Sequence, residues 1–334
     1  MATIYNVAKL AGVSSNTAAR ILRGLGGRAA NVTKVIQAAE KLSYVRNVQA
    51  ASLRSGRTNL IGVILPSLVS PGYTTLFQHL HDALTPHGYH VQAYCSRGRV
   101  ADEAAALAML ERSRPEGVYL DAAEGESDEA CDAAIERLDR QGVRVVLAGR
   151  SPRRLKVDVV GYRNRDAMSK AVNHLCKLGR TKLAFIGHKK DAGIVSERYA
   201  GFGEAIRANG LTAVAEISVQ NFDFEDGYTY VRSLWEQGAV PDGLVCLNDR
   251  LAIGALRALA DLKVQVPQQV AIIGLGDFLV DRYTVPRITS LSPPYARIAK
   301  DIAELFLQRE EGMGSKLPRA SIFYDLELIV REST

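Results

Sequence analysis

The 334-residue chain lacks several features that would assign it to common classes of protein. Its four cysteines lie far apart in sequence and form no C-x-x-C pair, which argues against zinc or redox centres and favours reduced core thiols. No apolar run approaches the roughly 20 residues needed to cross a bilayer. The first residues have neither the apolar core nor the cleavage site of a secretory signal. We therefore expect a cytoplasmic protein with no membrane partner.

A recognisable catalytic constellation is also missing. The sequence has no nucleophile elbow, no H-E-x-x-H helix and no persuasive carboxylate pair. Two glycine clusters, at residues 24–28 and 274–277, do not match the dinucleotide fingerprint, since the first follows a helix and the second lacks the third glycine. The neighbouring histidines at positions 79, 81, 87 and 90 are better explained by a polar helix surface than by a metal site. We expect no enzymatic activity, no cofactor and no metal.

Acidic residues are nearly absent from the first 58 positions, which hold nine lysines or arginines and the single acid Glu40. This segment has a net charge of +8, whereas the rest of the chain, with 33 basic and 35 acidic residues, has a net charge of −2. A compact segment this basic suits a polyanion, because each neutralised phosphate releases condensed counterions. A solvated charged surface is the alternative explanation of such a charge run.

Two short helices joined by a glycine turn are predicted within the basic segment. Thr3 can cap the first helix, which ends at Gly12. Its apolar residues recur at helical spacing: Ile4, Val7, Ala8, Leu10 and Ala11. The second helix runs from Ser14 or Ser15 to Leu22 and buries Ala18, Ile21 and Leu22. Its opposite face is a slim polar and basic stripe that suits the major groove, formed by Ser15, Asn16, Ala19, Arg20 and Arg23. Any short surface helix has a polar face, which is the alternative.

A third helix over about residues 31–43 completes the predicted all-α helix-turn-helix head. Its apolar positions, which close a three-helix core, are Val32, Val35, Ile36, Ala39 and Leu42. Residues 44–58 form a polar linker that contains one exposed-looking large aliphatic residue, Leu53. The centre of this linker, residues 48–54, could form two helical turns that need a partner to be stable.

These residues of the head resemble the LacI/GalR family of bacterial repressors. The resemblance is carried by TIYNVAKLAGVS at residues 3–14, by Thr17 and Arg20, by LSYVRN at residues 42–47 and by ASLRSGRT at residues 51–58. It implies that residues 48–54 are a hinge helix that orders on DNA, with Leu53 as a minor-groove wedge. It also implies that Ser15 and Asn16 are a specificity pair. The implied DNA contacts are Thr3, Tyr5, Ser14, Ser15, Asn16, Thr17, Ala19, Arg20, Arg23, Asn47, Ala51, Leu53 and Arg54.

The head departs from the family pattern at three places. Ala18 and Ala19 stand where the family usually has Val-Ser, and Arg23 stands where it usually has Asn. Gly27 and Arg28 replace the Val-Ser that leads into the third helix. The third helix therefore lacks its customary cap, and Asn31 is the expected substitute.

From Leu60 onward, apolar runs alternate with helical stretches, the pattern of a parallel sheet with crossover helices. Strands are predicted at residues 60–65, 89–95, 117–120, 143–147, 182–186, 244–247, 270–273 and 322–330. The family resemblance continues through GVYL at 117–120, LGR at 178–180, ERYAGF at 197–202, ND at 248–249, AIGA at 252–255 and TSLSP at 289–293. It implies an α/β body similar to periplasmic sugar-binding proteins, with two parallel-sheet subdomains.

The resulting division of the chain is a head at residues 1–46, a hinge at residues 47–58 and an effector-binding and dimerisation domain at residues 59–334. Within that domain the expected N-subdomain is 59–160 with 292–321, and the C-subdomain is 161–291 with 322–334. Three crossovers join them, and a small molecule binds in the cleft at the carboxyl ends of the strands.

The resemblance also implies which residues line the cleft. These are Ser70, Tyr73, Asp121, Arg163, Arg198, Phe222, Asn248 and Gly276. Many sugar-binding members carry an aspartate at the position of Gly276 and Asp-Asn at the position of Arg163 and Asn164. We therefore hypothesise an anionic effector, a sugar acid or a sugar phosphate, with Arg198 and Arg163 as counter-charges. The alternatives are a solvent-facing Arg163 and a neutral sugar, since Asp121 argues against a strongly anionic ligand.

Together these observations predict a sequence-specific transcriptional repressor. It would act as a homodimer on a pseudo-palindromic operator of double-stranded DNA, and the absence of a leucine heptad after the last strand favours a dimer over a tetramer. A sugar-binding transport protein would have a signal peptide and no basic head, and an α/β enzyme needs catalytic residues that we do not find. Whether the effector is an inducer or a co-repressor stays open.

Overall fold

A computed structural model describes residues 2–22, 24, 26–44, 57–122, 129–150, 155–188, 193–219, 221–308 and 318–334, with only the backbone of residues 216–218. The chain divides into two compact units, Met1–Thr58 and Asn59–Thr334. Within the described residues, no helix is long and apolar enough to cross a membrane.

The described part of the first unit is a bundle of three helices, α1 (Ile4–Ala11), α2 (Ser15–Leu22) and α3 (Ala29–Lys41). Thr3 caps α1 in a capping box with Asn6, and Gly12 ends it in the left-handed conformation with a φ of 67°. The core that joins the helices consists of Ile4, Val7, Ala8, Ala11, Ala18, Ile21, Val35 and Ala38. The predicted bounds of α1 and α2 are thereby confirmed.

The third helix corrects two details of the sequence prediction. It begins at Ala29, so Asn31 lies inside its first turn and cannot cap it, and the N-cap residue Arg28 makes no side-chain capping bond. Leu10 and Ile36, which were predicted to face the core, are 47% and 44% exposed. Half of the buried core residues are alanines, so the helices pack through small side chains and leave these larger ones at the margin.

The second unit contains two lobes, and the first is built on a six-stranded parallel sheet of order β11-β5-β4-β3-β1-β2. Its strands are β1 (Leu60–Leu65), β2 (His90–Cys95), β3 (Gly117–Asp121), β4 (Arg144–Ala148), β5 (Asp158–Tyr162) and β11 (Ser321–Tyr324). Its helices are α4 (Pro71–Leu84), α5 (Val100–Ser113), α6 (Glu129–Arg140) and α11 (Tyr295–Leu307), with a 3-10 turn at Thr85–His87. β3 and β4 are buried along their whole length, as expected for strands covered on both faces.

The second lobe repeats this architecture with the order β12-β10-β9-β8-β6-β7. Its strands are β6 (Leu183–Gly187), β7 (Ala215–Ser218), β8 (Gly243–Cys246), β9 (Ala271–Leu275), β10 (Thr289–Ser292) and β12 (Glu327–Ile329). Its helices are α7 (Asn164–Lys177), α8 (Ile194–Ala208), α9 (Phe224–Glu236) and α10 (Asp249–Asp261), with a 3-10 helix at Leu279–Arg282. Only β12 runs antiparallel to its neighbour among the described strands.

The chain passes between the lobes three times, from β5 to α7, from β10 to α11 and from β11 to β12. The single strand predicted at residues 322–330 is therefore wrong. Ser321–Tyr324 pairs with β5 in the first sheet, whereas Glu327–Ile329 pairs with β10 in the second. The C-terminal segment of the first lobe consequently extends to Tyr324, beyond the expected boundary at residue 321.

Candidate functional sites

The first candidate site is the polar face of α2, opposite the core residues Ala18 and Ile21. Asn16 and Arg20 are exposed on this face, and Ser15 and Ala19 are half-buried beside them. The two longer polar side chains, Asn16 and Arg20, therefore project from a helix face on which the neighbouring side chains, Ser15 and Ala19, are small. This shape allows a helix to approach base edges closely in the major groove.

Other predicted DNA contacts lie at the helix ends. Ser14 caps α2, since its Oγ accepts from the backbone nitrogen of Thr17 at 3.1 Å and lies 2.8 Å from the hydroxyl of Thr17. The Thr3 hydroxyl is exposed and bonds Asn6 Oδ1 at 2.5 Å. Tyr5 lies on α1 and is 69% exposed, so it does not belong to the core of the bundle. These side chains are held at a surface where phosphate oxygens could reach them.

Five predicted contacts cannot be placed on this surface. Arg23, Asn47, Ala51, Leu53 and Arg54 lie outside the described residues. The hinge helix and the minor-groove wedge stay predictions of the sequence.

The second candidate site is the cleft between the lobes, where the charges of Asp121 from the first lobe and Arg198 from the second both act on Tyr162. The first lobe contributes Ser70, which precedes α4, the half-buried Tyr73 on its first turn, and Asp121 at the end of β3. Asp121 is 8% exposed and accepts a hydrogen bond from the Tyr119 hydroxyl at 3.0 Å. Burial, followed by the charge of Asp121, raises the pKa of Tyr119 well above its usual value.

The second lobe contributes a buried cation, Arg198 on α8, which is 9% exposed. Its Nε donates to Asn164 Oδ1 at 2.9 Å, and its Nη1 donates to the carbonyl oxygen of Leu247 at 2.9 Å. These two bonds fix the orientation of the guanidinium. An oriented guanidinium suits a ligand with carboxylate, phosphate or several hydroxyl oxygens.

A hydrogen bond joins Phe222 and Asn248, which are distant in the sequence of the second lobe. Asn248 caps α10 by accepting from the backbone nitrogen of Leu251 at 2.9 Å, and its amide donates to the Phe222 carbonyl oxygen at 3.0 Å. Phe222 has a positive φ of 55°, and its ring meets the His188 ring edge-on at 6.4 Å. Asn248 therefore positions the Phe222 backbone, a role that was not predicted from the sequence.

Gly276, at the end of β9, has a φ of 137° and no space for a side chain. A Cβ atom there would lie 2.4 Å from Cε1 of Phe278 and 2.8 Å from Oδ2 of Asp249. The Phe278 ring also lies 3.3 Å from the place that a Cβ atom of Gly72 would occupy, on α4 of the first lobe. A phenyl ring thus fills the space beside position 276 and reaches toward the other lobe.

Arg163 does not join this group. Its side chain is 54% exposed and its Nε lies 3.5 Å from Oδ1 of Asp325, which is 69% exposed. Both residues belong to the crossovers between the lobes, so their contact is a surface pair. This placement agrees with the alternative of a solvent-facing Arg163 and not with its hypothesised role as a counter-charge of the effector.

Several residues of the cleft were not predicted. Tyr162 ends β5 and Tyr295 begins α11, and desolvation by burial raises the pKa of both above its ordinary value. The charge of Arg198 acts on both phenols in the opposite direction. Their positions at the first and second crossovers were the available signal, because crossover residues line the space between the lobes. Among the described residues, no group of three or more histidine, cysteine or acidic side chains could hold a metal ion.

Comparison with known proteins connects both sites to one family. Residues 3–47 match the model of bacterial regulatory proteins of the lacI family, and residues 172–334 match the periplasmic binding protein-like domain. The transcriptional regulator MalR of Streptomyces coelicolor is 30% identical over 338 residues, which cover 99% of this chain and 96% of that protein. The chain belongs to the LacI family. The prediction made from the head and body motifs is confirmed.

Other LacI-family proteins extend the match over the whole chain. The transcriptional repressor PurR of Pasteurella multocida is 26% identical, with coverage of 100% of this chain and 98% of that protein. The fold is that of the Lac repressor bound to operator and the anti-inducer ONPF, with a TM-score of 0.84 at 21% identity, covering 100% and 99% of the two chains. A CelR–cellobiose complex gives a TM-score of 0.72 at 25% identity, with both chains fully covered.

Membership in the LacI family establishes the general function. The chain is a DNA-binding transcriptional regulator, and regulators of this type bind operator DNA and a small-molecule effector. They are not enzymes, which confirms the prediction that this chain is not one.

Proposed function

We propose that this LacI-family regulator is a cytoplasmic repressor that binds a pseudo-palindromic operator as a homodimer and releases or tightens it in response to a small sugar-like effector. We propose further that the effector is anionic, a sugar acid or a sugar phosphate. The observation that carries this choice is Arg198, a buried guanidinium whose orientation is fixed by Asn164 and Leu247 and whose charge acts on the phenols of Tyr162 and Tyr295.

The DNA-binding part of the proposal rests on the charge and shape of the head. The first 58 residues carry a net charge of +8, and Asn16 and Arg20 are exposed on α2. Asn can bond both N6 and N7 of an adenine, and Arg can bond O6 and N7 of a guanine. We assign base reading to Ser15, Asn16 and Arg20, and backbone contacts to Thr3, Tyr5, Ser14 and Thr17.

The homodimer is supported by an apolar surface on the second lobe. Leu279, Val280, Tyr283 and Val285 follow one another along the 3-10 helix and its exit, and they are 68%, 43%, 76% and 92% exposed. Such a run of large apolar side chains marks a protein interface more often than free surface. A solved relative is a Lac repressor dimer bound to operator, which is consistent with a second copy covering this surface.

The proposed control is a shift of population between two arrangements of the lobes. An effector in the cleft touches both lobes, and it changes operator affinity only as far as it binds one arrangement better than the other. Arg198, Phe222 and Asn248 bind from the second lobe, whereas Ser70, Tyr73 and Asp121 bind from the first.

The effector class can be tested by thermal unfolding in the presence of neutral sugars, sugar acids and sugar phosphates. An anionic compound should raise the melting temperature, and the Arg198→Lys variant should lose most of that shift, because a lysine cannot reproduce the two-pronged donor geometry. Stabilisation by neutral sugars alone would overturn the anionic assignment and leave the regulator assignment intact.

DNA binding can be tested by fluorescence anisotropy with the operator selected from a random-sequence library. Asn16→Ala should relax preference at one base pair at a cost of about 1–3 kcal/mol, whereas Lys9→Ala, on the exposed face of α1, should weaken all sequences alike. A uniform loss for Asn16→Ala would make Asn16 a backbone contact. Leu53→Ala tests the wedge, which predicts weaker operator binding with effector binding unchanged.

A further inference from the structure

Two acidic side chains are buried together behind the cleft wall of the second lobe. Asp249 begins α10 and Asp281 lies in the 3-10 helix Leu279–Arg282, and both residues are 0% exposed. The Phe278 backbone bridges them, since its N–H donates to Asp249 Oδ2 at 3.3 Å and its carbonyl oxygen accepts from the Asp281 N–H at 3.0 Å. Each carboxyl group also shifts the pKa of the other as a hydrogen-bond partner. A pair of buried carboxylates without a cation between them is costly, so one of them must carry a proton.

The hydrogen bonds around the pair are unequal. Asp249 Oδ1 accepts from the Ser290 hydroxyl at 2.7 Å, and Oδ2 accepts from the Phe278 backbone nitrogen at 3.3 Å. Both oxygens of Asp281 are buried, and among the described residues neither makes a hydrogen bond of good geometry, although the Phe278 N–H lies near enough to favour the ionised form. Asp249 is therefore the member that accepts bonds as a carboxylate, and Asp281 is the member suited to hold the proton.

The charged surroundings support this assignment. Burial and the charge of Asp249 raise the pKa of Asp281 to about 9, and burial raises the pKa of Asp249 to about 6. Arg331 favours the ionised form of Asp281, but it is engaged by Asp277, which also contacts Arg282 at 3.8 Å. The other titratable groups whose environment includes Asp249 are Cys246, Tyr295 and Asp277.

The pair determines the shape of the cleft wall. The Asp249 carboxylate lies across β9, 2.0 Å from the place of a Cβ atom on Gly274 and 2.8 Å from that on Gly276. It also holds the backbone of Phe278, whose ring approaches Gly72 on the first lobe. Gly274 and Gly276 therefore leave the space that the Asp249 carboxylate occupies.

We propose that Asp249 and Asp281 share one proton at neutral pH and form an acid pair that fixes Phe278 and the cleft wall, so that the cleft of this regulator responds to pH. Loss of the proton to solvent leaves two repelling carboxylates, and one of them, Asp281, lies on the segment that runs from Gly276 to the apolar surface at residues 279–285. This inference extends the proposed function, but its physical test needs neither effector nor operator.

The test is urea unfolding of the full chain across pH 5 to 9.5, followed by the fluorescence of Trp235, the only tryptophan, which packs in the same lobe. The native lobe holds a proton that the unfolded chain has lost, since an unfolded aspartate titrates near 3.8. Above about pH 6, where Asp249 is ionised, stability should therefore fall as pH rises toward 9, with the unfolding constant rising by up to about tenfold per pH unit. Below pH 6 the proton of Asp249 should make the slope steeper. Above pH 9 the slope should vanish.

Asp281→Asn is the decisive variant, because an amide imitates the protonated acid and can donate to Asp249. It should lose the pH slope between about pH 6 and 9, whereas Asp166→Asn, an exposed change on α7, should keep it. Equal slopes in the wild type and Asp281→Asn would overturn the proposal. If Asp281→Asn does not fold, infrared spectra of the wild type decide the question. A protonated-carboxyl band that persists at pH 7.5 and disappears above pH 9 supports the shared proton, and no such band at pH 7.5 overturns it.

Discussion

The two lobes of the body share an architecture but neutralise their buried acids by different means. In the first lobe Asp158 receives two bonds from Arg144, at 2.6 and 3.2 Å, and Glu103 lies 2.7 Å from Arg150. In the second lobe Asp249 has a hydroxyl, a backbone N–H and a second acid for neighbours. The first solution uses a permanent cation, and the second uses a proton that can leave. The buried charges of the first lobe are therefore balanced permanently, whereas those of the second lobe can change with pH.

The largest expected effect concerns the buried ion pair between Arg144 and Asp158 in the first lobe. Asp158→Ala leaves Arg144, which is 6% exposed, without its anion, and we expect the free energy of unfolding to fall by about 3–5 kcal/mol. Urea unfolding followed by circular dichroism measures this loss. Asp166→Ala on the surface of α7 is the control, and a similar small change in both variants would contradict the view that the first lobe depends on its buried pair.

The next effect concerns the cation that the second lobe offers to the cleft. Arg198→Lys removes the fork that binds Asn164 and Leu247, and a charge-assisted hydrogen bond contributes about 1.5–3 kcal/mol. We expect effector affinity to fall by about thirtyfold, measured by calorimetry with the compound that stabilises the wild type most. An unchanged affinity would show that Arg198 does not bind the effector.

The cleft wall should not accept a side chain at the buried position 276. Gly276→Ala places a Cβ atom 2.4 Å from the Phe278 ring at a φ of 137°, and we expect a loss of about 1–3 kcal/mol in urea unfolding. Gly179→Ala has a φ of 80° but nothing within 4 Å, so it measures the backbone strain without the clash. Equal losses in the two variants would show that Phe278 gives way freely.

The smallest effect is expected at the crossover. Arg163→Ala removes a surface pair with Asp325, and we expect stability to change by no more than about 0.5 kcal/mol and effector affinity by less than about twofold. The same calorimetric titration measures this variant. A loss as large as that of Arg198→Lys would restore Arg163 as a counter-charge.

The sequence predicted most of the framework because hydrophobic period and turn residues act locally. The bounds of α1, α2, β1 and β3 follow from spacing, from Thr3 and Gly12, and from short apolar runs between turns. The division of residues 322–330 was missed because the run continues through Leu326, which is itself buried. Periodicity cannot tell which of two sheets a strand joins.

The candidate sites were less predictable because they depend on contacts distant in sequence. Gly276 was interpreted as the loss of an acid, but the space beside it is occupied by Asp249 and Phe278, which come from α10 and from the loop after β9. Asp281 gave one visible signal, an acid within the apolar run FLVD at 278–281. Its burial against another acid could not be inferred, since a charged residue in a short run is normally solvated.

The three crossovers also constrain the order in which the chain can be completed during synthesis. β11 and β12, the edge strands of the two sheets, follow every other strand in the sequence. A nascent chain that has emerged only to residue 308 therefore has β5 and β10 as additional open edges of its two sheets, besides β2 and β7. Open sheet edges are sites of mispairing, so the two halves of the body must mature together, after their last residues leave the ribosome.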